Sequence, residues 1–172
     1  LVTRDALRQL ACLGNAGDAA TLAMVRSETE EESHRALWEA HRVGLVWRRD
    51  GTYVFLHDRV QEAAYSLIPE PERPAAHLHI GRLLLGHTPP DALVENIFEI
   101  VNQLNRGAAL MTSPAEQIRL AELNLMAAKR SKAANRKQSR RRSLLPRRYL
   151  SETDTTKDNN KFGCRGRANT SA

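Results

Sequence analysis

Apolar residues recur at helical spacing along most of the first 134 positions, and the period changes once. Leu7, Leu10 and Ala11 share one face of a helix predicted from Thr3 to Leu13, with Gly14 as its stop. Asp18 is placed to cap a second helix that reaches about Val25. Thr29 and Glu32 form a capping box at the start of a third, the hydroxyl accepting from one backbone N–H and the carboxylate from another. Leu37, Ala40, His41 and Gly44 then fall on one face. From Gly44 to Leu56 two short β-prone runs flank Asp50-Gly51, a pair that readily takes the positive φ angles of a tight hairpin turn. Three helices followed by one hairpin is the winged-helix order.

Beyond the hairpin the helical period returns. Asp58 and Gln61 read as another capping box, ahead of a stripe at Val60, Ala63, Ala64, Leu67 and Ile68 that Pro69 and Pro71 end. A helix from about Pro71 to Leu85 follows, with Gly86 as its cap. Pro89-Pro90 opens the next, lined by Leu93, Ile97, Ile100, Val101 and Leu104. Ser113-Pro114-Ala115-Glu116 starts a last helix to about Ala134, whose small face (Ala121, Ala127, Ala128) suits the first helix of a tetratricopeptide-like array. No internal repeat is visible. The expected organisation is mainly α: a winged-helix subdomain over 1–68, a helical extension over 69–134, and a tail over 135–172. The tail lacks a helical stripe and is expected to be disordered, because it buries too little apolar area to offset chain entropy.

Composition supports helices: aromatics are 5% of the chain, so Leu, Ala, Val and Ile must fill the core. The net charge of +6 is unevenly spread. Residues 1–128 carry 12 Arg and 17 acids, 12 − 17 = −5, while 129–172 carry 14 Lys or Arg and 3 acids, 14 − 3 = +11. The body is therefore mildly acidic and lacks the basic footprint of a nucleic-acid binder. Cys12 and Cys164 offer neither a disulfide framework nor metal-ligand spacing, which fits a reducing cytoplasm. No apolar run approaches the roughly 18 residues that span a bilayer, and no signal peptide or membrane partner is expected. A first residue of Leu1 leads to the expectation of a fragment.

The stretch Phe55-Leu-His-Asp-Arg-Val-Gln-Glu-Ala-Ala-Tyr-Ser-Leu-Ile-Pro69 resembles a family of large bacterial hybrid signalling proteins. So do His77-Leu-His-Ile-Gly-Arg-Leu-Leu-Leu85, Ile97-Phe-Glu-Ile-Val-Asn-Gln-Leu-Asn-Arg-Gly107 and Leu120-Ala-Glu-Leu-Asn-Leu125. In that family a serine/threonine kinase-like domain precedes a STAND/AAA-type ATPase, a helical region, a GAF domain and often a histidine kinase. The resemblance covers roughly 1–134 and implies the region just after the nucleotide-binding core. It implies, as partners, that ATPase core and the downstream signalling domains, with ATP and magnesium as cofactors of the parent rather than of this chain.

The family's catalytic signatures have no matching positions. There is no Gly-x-x-x-x-Gly-Lys-Ser/Thr phosphate loop, no kinase Gly-rich loop, no His-Arg-Asp and no Asp-Phe-Gly. No catalytic, cofactor-binding or metal-binding residue is therefore assigned. His57-Asp58 reads as a cap and strand end rather than a catalytic dyad. His77 and His79, two apart on a helix, point to different faces and do not form a metal pair. Tyr65 and Ser66 carry no modification signal. Arg48 and Arg49 on the wing could touch phosphates, but Asp50 and Glu30–Glu32 oppose that. The expected function is non-catalytic, an intramolecular regulatory and protein-interaction module, with a winged-helix DNA-binding transcription regulator as the alternative. The contact faces expected are the third helix, Thr29 to Val43, and the wing, Trp47 to Phe55, with Trp47, Tyr53 and Phe55 partly exposed once the core is missing.

The Arg140-Arg141-Arg142 run stands where the family carries an Ala-, Tyr- and Leu-rich helix. A one-base shift of reading frame in a GC-rich gene accounts for it, since Ala codons read one base off become Arg codons. Sequencing the gene is expected to show a family-like helix in the adjacent frame. An adjacent frame without one removes the explanation.

Overall fold

The computed structural model describes residues 2–144, with side chains described as far as Arg136. Residues 1–130 form one compact unit, and 131–172 a second that is described only to Leu144. The order is α1 (Val2–Leu13), β1 (Ala16–Asp18), α2 (Ala19–Arg26), α3 (Glu30–Arg42), β2 (Val46–Arg49), β3 (Thr52–Phe55), α4 (Asp58–Ser66), α5 (Arg73–His87), α6 (Leu93–Arg106) and α7 (Pro114–Leu144). Helices thus dominate the described residues, and the first six elements follow the winged-helix order.

The caps decide where helices begin and end. Asp18 accepts from the Thr21 N–H at 3.0 Å. The Thr29–Glu32 box closes both ways, at 3.2 Å from the Glu32 N–H to the Thr29 hydroxyl and 2.8 Å from the Thr29 N–H to the Glu32 carboxylate. α3 ends in a left-handed Gly44 at φ 76°. Gly44 N–H reaches the His41 carbonyl and Leu45 N–H the Ala40 carbonyl, the paired bonds of a Schellman stop. Gly44 is therefore a terminator rather than part of the α3 face.

The hairpin turns on Asp50 and Gly51, both at positive φ (49° and 78°), which matches the right-handed twist of β2 and β3. The sheet holds a third strand that the hairpin pattern did not predict. β1 pairs antiparallel on the other edge of β3, Ala16 opposite Val54 and Asp18 opposite Thr52, giving the order β1-β3-β2. Three residues are too short for a period to show. Its central residue, Gly17, lies so close to α1 that a Cβ there would stand 2.7 Å from a Leu10 methyl.

Several boundaries depart from the sequence pattern. α4 is capped by the His57 backbone without a side-chain bond, so Asp58–Gln61 is not a capping box. Gln61 instead donates to the Ala11 carbonyl at 3.0 Å. The α4 stripe is narrow: Ala64 and Ile68 are buried, whereas Ala63 and Leu67 are exposed. A 3-10 turn at Glu70–Glu72 precedes α5, and Gly86 lies inside that helix, which ends at Thr88. α7 runs past Ala134 to Leu144. Arg, Lys and Gln are good helix formers, and extending a formed helix needs no new nucleus. The disorder expected for 145–172 lies outside the described residues.

Leu10, Leu22, Leu37, Val46 and Tyr53 form the core under the winged helix, and Ile97, Ile100, Leu104 and Leu123 the core of the extension, all within one buried cluster. α5 and α6 meet closely because glycines face them. A Cβ on Gly81 would sit 2.6 Å from a Leu104 methyl. One on Gly107 would sit 2.6 Å from the Pro74 carbonyl oxygen and 2.9 Å from the Leu78 Cα. Backbone cannot step aside as a side chain can, so Gly107→Ala is expected to cost about 1–3 kcal/mol. Urea denaturation of the two proteins checks this. An unchanged midpoint would mean that the α5–α6 approach is looser than described.

Candidate functional site

Two groups of side chains stand out, one buried and one exposed. The buried group is a polar chain through four helices. Gln103 on α6 donates from Nε2 to the Cys12 carbonyl at 2.9 Å. That fixes its Oε1 as an acceptor, 2.6 Å from His77 Nδ1 on α5. His77 therefore carries its proton on Nδ1, and its Nε2 accepts from the Tyr65 hydroxyl on α4 at 2.8 Å. Arg73 covers the Tyr65 ring at 4.8 Å. His77 and Gln103 are each 1% exposed, so the two bonds of Gln103 form away from water, while the Tyr65–His77 bond is half-buried.

Both ring nitrogens of His77 are bonded within the protein. Burial holds its pKa below the ordinary 6.5, the Gln103 bond partly offsets that, and the Arg106 guanidinium adds to the lowering. The Cys12 side chain is buried as well. Burial pushes the thiol up to about 11 against the pull of Arg106, Arg8 and Arg73, so it remains protonated at neutral pH. His79 is exposed on another side of α5 and does not meet His77. Among the described residues no group of three or more His, Cys, Asp or Glu side chains is arranged to hold a metal ion. His57 and Asp58 lie exposed at the start of α4.

The exposed group is a ribbon of rings on α3 and the wing. His34 stacks on Tyr53 with centroids 6.4 Å apart and meets Trp38 edge-on at 6.0 Å. Trp38 stacks on His41 at 6.1 Å, and His41 meets Trp47 at 6.3 Å. Spacing explains the alignment: positions 34, 38 and 41 lie one above another on a helix, and β2 runs alongside. Trp38 is 49% and Trp47 59% exposed, and they are the only tryptophans in the chain. Tyr53 and Phe55, expected to be partly exposed, are buried at 0% and 2%. They face inward from β3 on alternate positions, as a strand with one buried face requires. Beside the ribbon lies an open cleft of about 490 Å³ lined by Glu30, Glu31, His34, Arg35, Trp38 and Arg48. Arg48 stands 4.0 Å from Glu30, and Arg49 3.4 Å from Asp50. The wing arginines thus have acidic neighbours.

The exposed rings lie within the stretches expected to make contacts, Thr29 to Val43 and the wing, whereas the buried chain was not expected. Its partners are far apart in sequence, 26 residues from His77 to Gln103 and 91 from Gln103 to Cys12. The available signal was that Tyr65, His77 and Gln103 all fall within the stretches read as resembling the signalling family.

No protein-family model and no solved structure matches the chain. Part of it is similar to hybrid signal transduction histidine kinase G of Dictyostelium discoideum, 34% identical over 90 residues. That covers 44% of this chain and 3% of the relative, so the chain spans a small fraction of that protein's length. The similarity links the chain distantly to signal-transduction histidine kinases. A bacterial source and a STAND/AAA-type ATPase module find no counterpart in it. Among the described residues no helix is long and apolar enough to cross a membrane.

His77 sets a pH dependence whose sign follows from its lowered pKa. Below the ordinary 6.5 the unfolded chain takes up a proton that the folded chain refuses. Stability is therefore full above that value and declines as pH falls from it toward the folded pKa. His77→Gln is expected to be less stable at pH about 8, through loss of a buried bond worth about 1–3 kcal/mol, yet flatter between pH about 7 and 5. Denaturant midpoints across that range check both. A variant that loses stability with acid as steeply as the parent would clear His77 of the effect.

Proposed function

We propose that this chain is a non-catalytic interaction segment of a large signal-transduction kinase, docking through the α3–wing face onto a neighbouring domain of its parent. The observation that carries this reading is the exposed ring ribbon, with Trp38 and Trp47 half-open to solvent beside the cleft. A large apolar ring held in water on a rigid scaffold is what an interface core uses, since Trp is among the residues most enriched at binding hot spots. The partner favoured by the family resemblance is a STAND/AAA-type nucleotide-binding core, which would bring ATP and magnesium. The extension α5–α7 would carry the state of that core onward to output domains. Such transmission requires the face to bind the two nucleotide states unequally.

The transcription-regulator reading has less support. α3 opens with Glu30, Glu31 and Glu32, which would meet phosphates of the same sign if that helix entered a groove.

The test uses the intact chain and a nucleotide-binding domain taken from a signalling protein that carries the Phe55–Pro69 motif. Both tryptophans lie on the proposed face, so their emission should shift saturably on binding, with unequal affinity for the ATP-loaded and ADP-loaded domain. Trp38→Ala and Trp47→Ala are each expected to weaken binding by about 2 kcal/mol or more. An emission unchanged by the domain, ATP turnover by the chain alone, or a sequence-selective DNA complex would each overturn the reading.

A further inference from the structure

β2 is an edge strand, and its outer side carries a row of free backbone groups. Leu56 N–H donates to the Leu45 carbonyl at 3.1 Å, and Phe55 N–H donates to the Asn15 carbonyl at 2.9 Å on the β1 side. In an antiparallel ladder, bonded and unbonded pairs alternate. Trp47–Val54 and Arg49–Thr52 are therefore the bonded pairs. Val46 and Arg48, opposite Phe55 and Tyr53, turn their N–H and C=O groups away from β3. Among the described residues none of these groups has a backbone partner elsewhere.

The side chains around this edge leave it open. Arg48 lies over the Tyr53 ring at 5.6 Å, against the face of the sheet. Leu45, Trp47 and Leu56 share the opposite face and are exposed. Arg48 also borders the cleft of about 490 Å³ that His34 and Trp38 line, so the free edge and the cleft adjoin. A row of unpaired backbone donors and acceptors is matched by another extended strand. Charge narrows the choice. The cleft sets the carboxylates of Glu30 and Glu31 against the guanidinium groups of Arg35 and Arg48, 2 − 2 = 0, which favours neither an acidic nor a basic segment. A second copy of this chain fits poorly. Antiparallel pairing of two β2 strands about a two-fold axis normal to the sheet keeps both α3 helices on one face, and the cleft has room for only about one turn of a helix about 10 Å wide.

We propose that β2 accepts a fourth strand, an uncharged extended segment of the docking partner, bonded through its backbone to Val46 and Arg48 and packed by alternate side chains on Trp47 and Trp38. This rests on the docking role proposed for the α3–wing face and names its mode. Backbone bonds hold the segment, and the two rings select apolar or β-branched side chains at alternate positions.

The probe is a capped, dye-labelled hexapeptide of alternating Val and Thr, followed by anisotropy on titration with the intact chain. Saturable binding is expected. Two further peptides carry N-methyl groups on alternate amides, one on the odd and one on the even residues. A strand turns every second N–H toward its neighbour. One methylated peptide is therefore expected to bind at least about tenfold more weakly than the parent peptide, and the other within about threefold of it. In the chain, Arg48→Pro removes an N–H that points away from β3, a place where an edge strand tolerates proline. It is expected to weaken binding at least about tenfold with the melting curve in place, whereas Arg48→Ala keeps the N–H and is expected to bind within about threefold of the parent. Should Arg48→Pro not fold, the methylated peptides decide. No binding, equal binding of the two methylated peptides, or equal binding to Arg48→Pro would overturn the proposal. Equal weakening by Arg48→Ala would assign the loss to the side chain and overturn it too. So would a dimer in sedimentation that Arg48→Pro dissolves, which gives the edge to a second copy. The nucleotide-binding domain separates this proposal from the reading beneath it: a domain that binds the parent and Arg48→Pro equally leaves docking in place and removes the strand.

Discussion

The last carbonyls of α1 have no partner within their own helix, and the way they are satisfied organises the rest of the molecule. Gln61 reaches the Ala11 carbonyl from α4, and Gln103 reaches the Cys12 carbonyl from α6. A buried helix end left without such donors costs about 1–3 kcal/mol for each group. Two glutamines from distant parts of the chain supply them. Gln61 ties α4 back to α1 within the winged helix, Gln103 fastens the winged helix to the extension that follows it, and the His77–Tyr65 pair continues the second link across α5 and α4. The joint is directional, because each donor and acceptor has a fixed role, so it selects one relative placement of these helices rather than merely holding them together.

A rigid joint gives the exposed faces their meaning. The docking role proposed for the α3–wing face would require a frame that does not deform under it. The ring ribbon sits on α3, which is capped at both ends by specific bonds, and on a hairpin fixed by two positive-φ residues. Each ring pair contributes about 0.5–1.5 kcal/mol at best. The ribbon therefore adds little to stability compared with the core beneath it, yet it keeps Trp38 and Trp47 in defined positions.

The candidate site was partly legible in the sequence. The α3 and wing face was visible because capping boxes, helical period and an Asp-Gly turn are local patterns. Which rings on that face would be exposed was not. Trp47, Tyr53 and Phe55 looked alike as β-prone aromatics, and only the pairing of β3 between β1 and β2 turned Tyr53 and Phe55 inward while Trp47 stayed out. Gln61 shows the same limit. Three residues after Asp58 it fitted a capping box, but the unpaired Ala11 carbonyl claimed its amide.

Among the described residues the sequence by itself determined most elements: α1 to α6 placed within a few residues of where period and punctuation put them, the start of α7, one hairpin, an acidic body and a basic end. These are short-range properties, set by side-chain spacing, caps and backbone φ preferences within a few positions. Tertiary structure decided what such patterns cannot hold. It added β1, whose pairing alone makes it a strand, and joined His77 to Gln103 across 26 residues. Those outcomes depend on which distant groups satisfy each other's hydrogen bonds and volumes once the chain has closed on itself, and no local window of residues contains both partners.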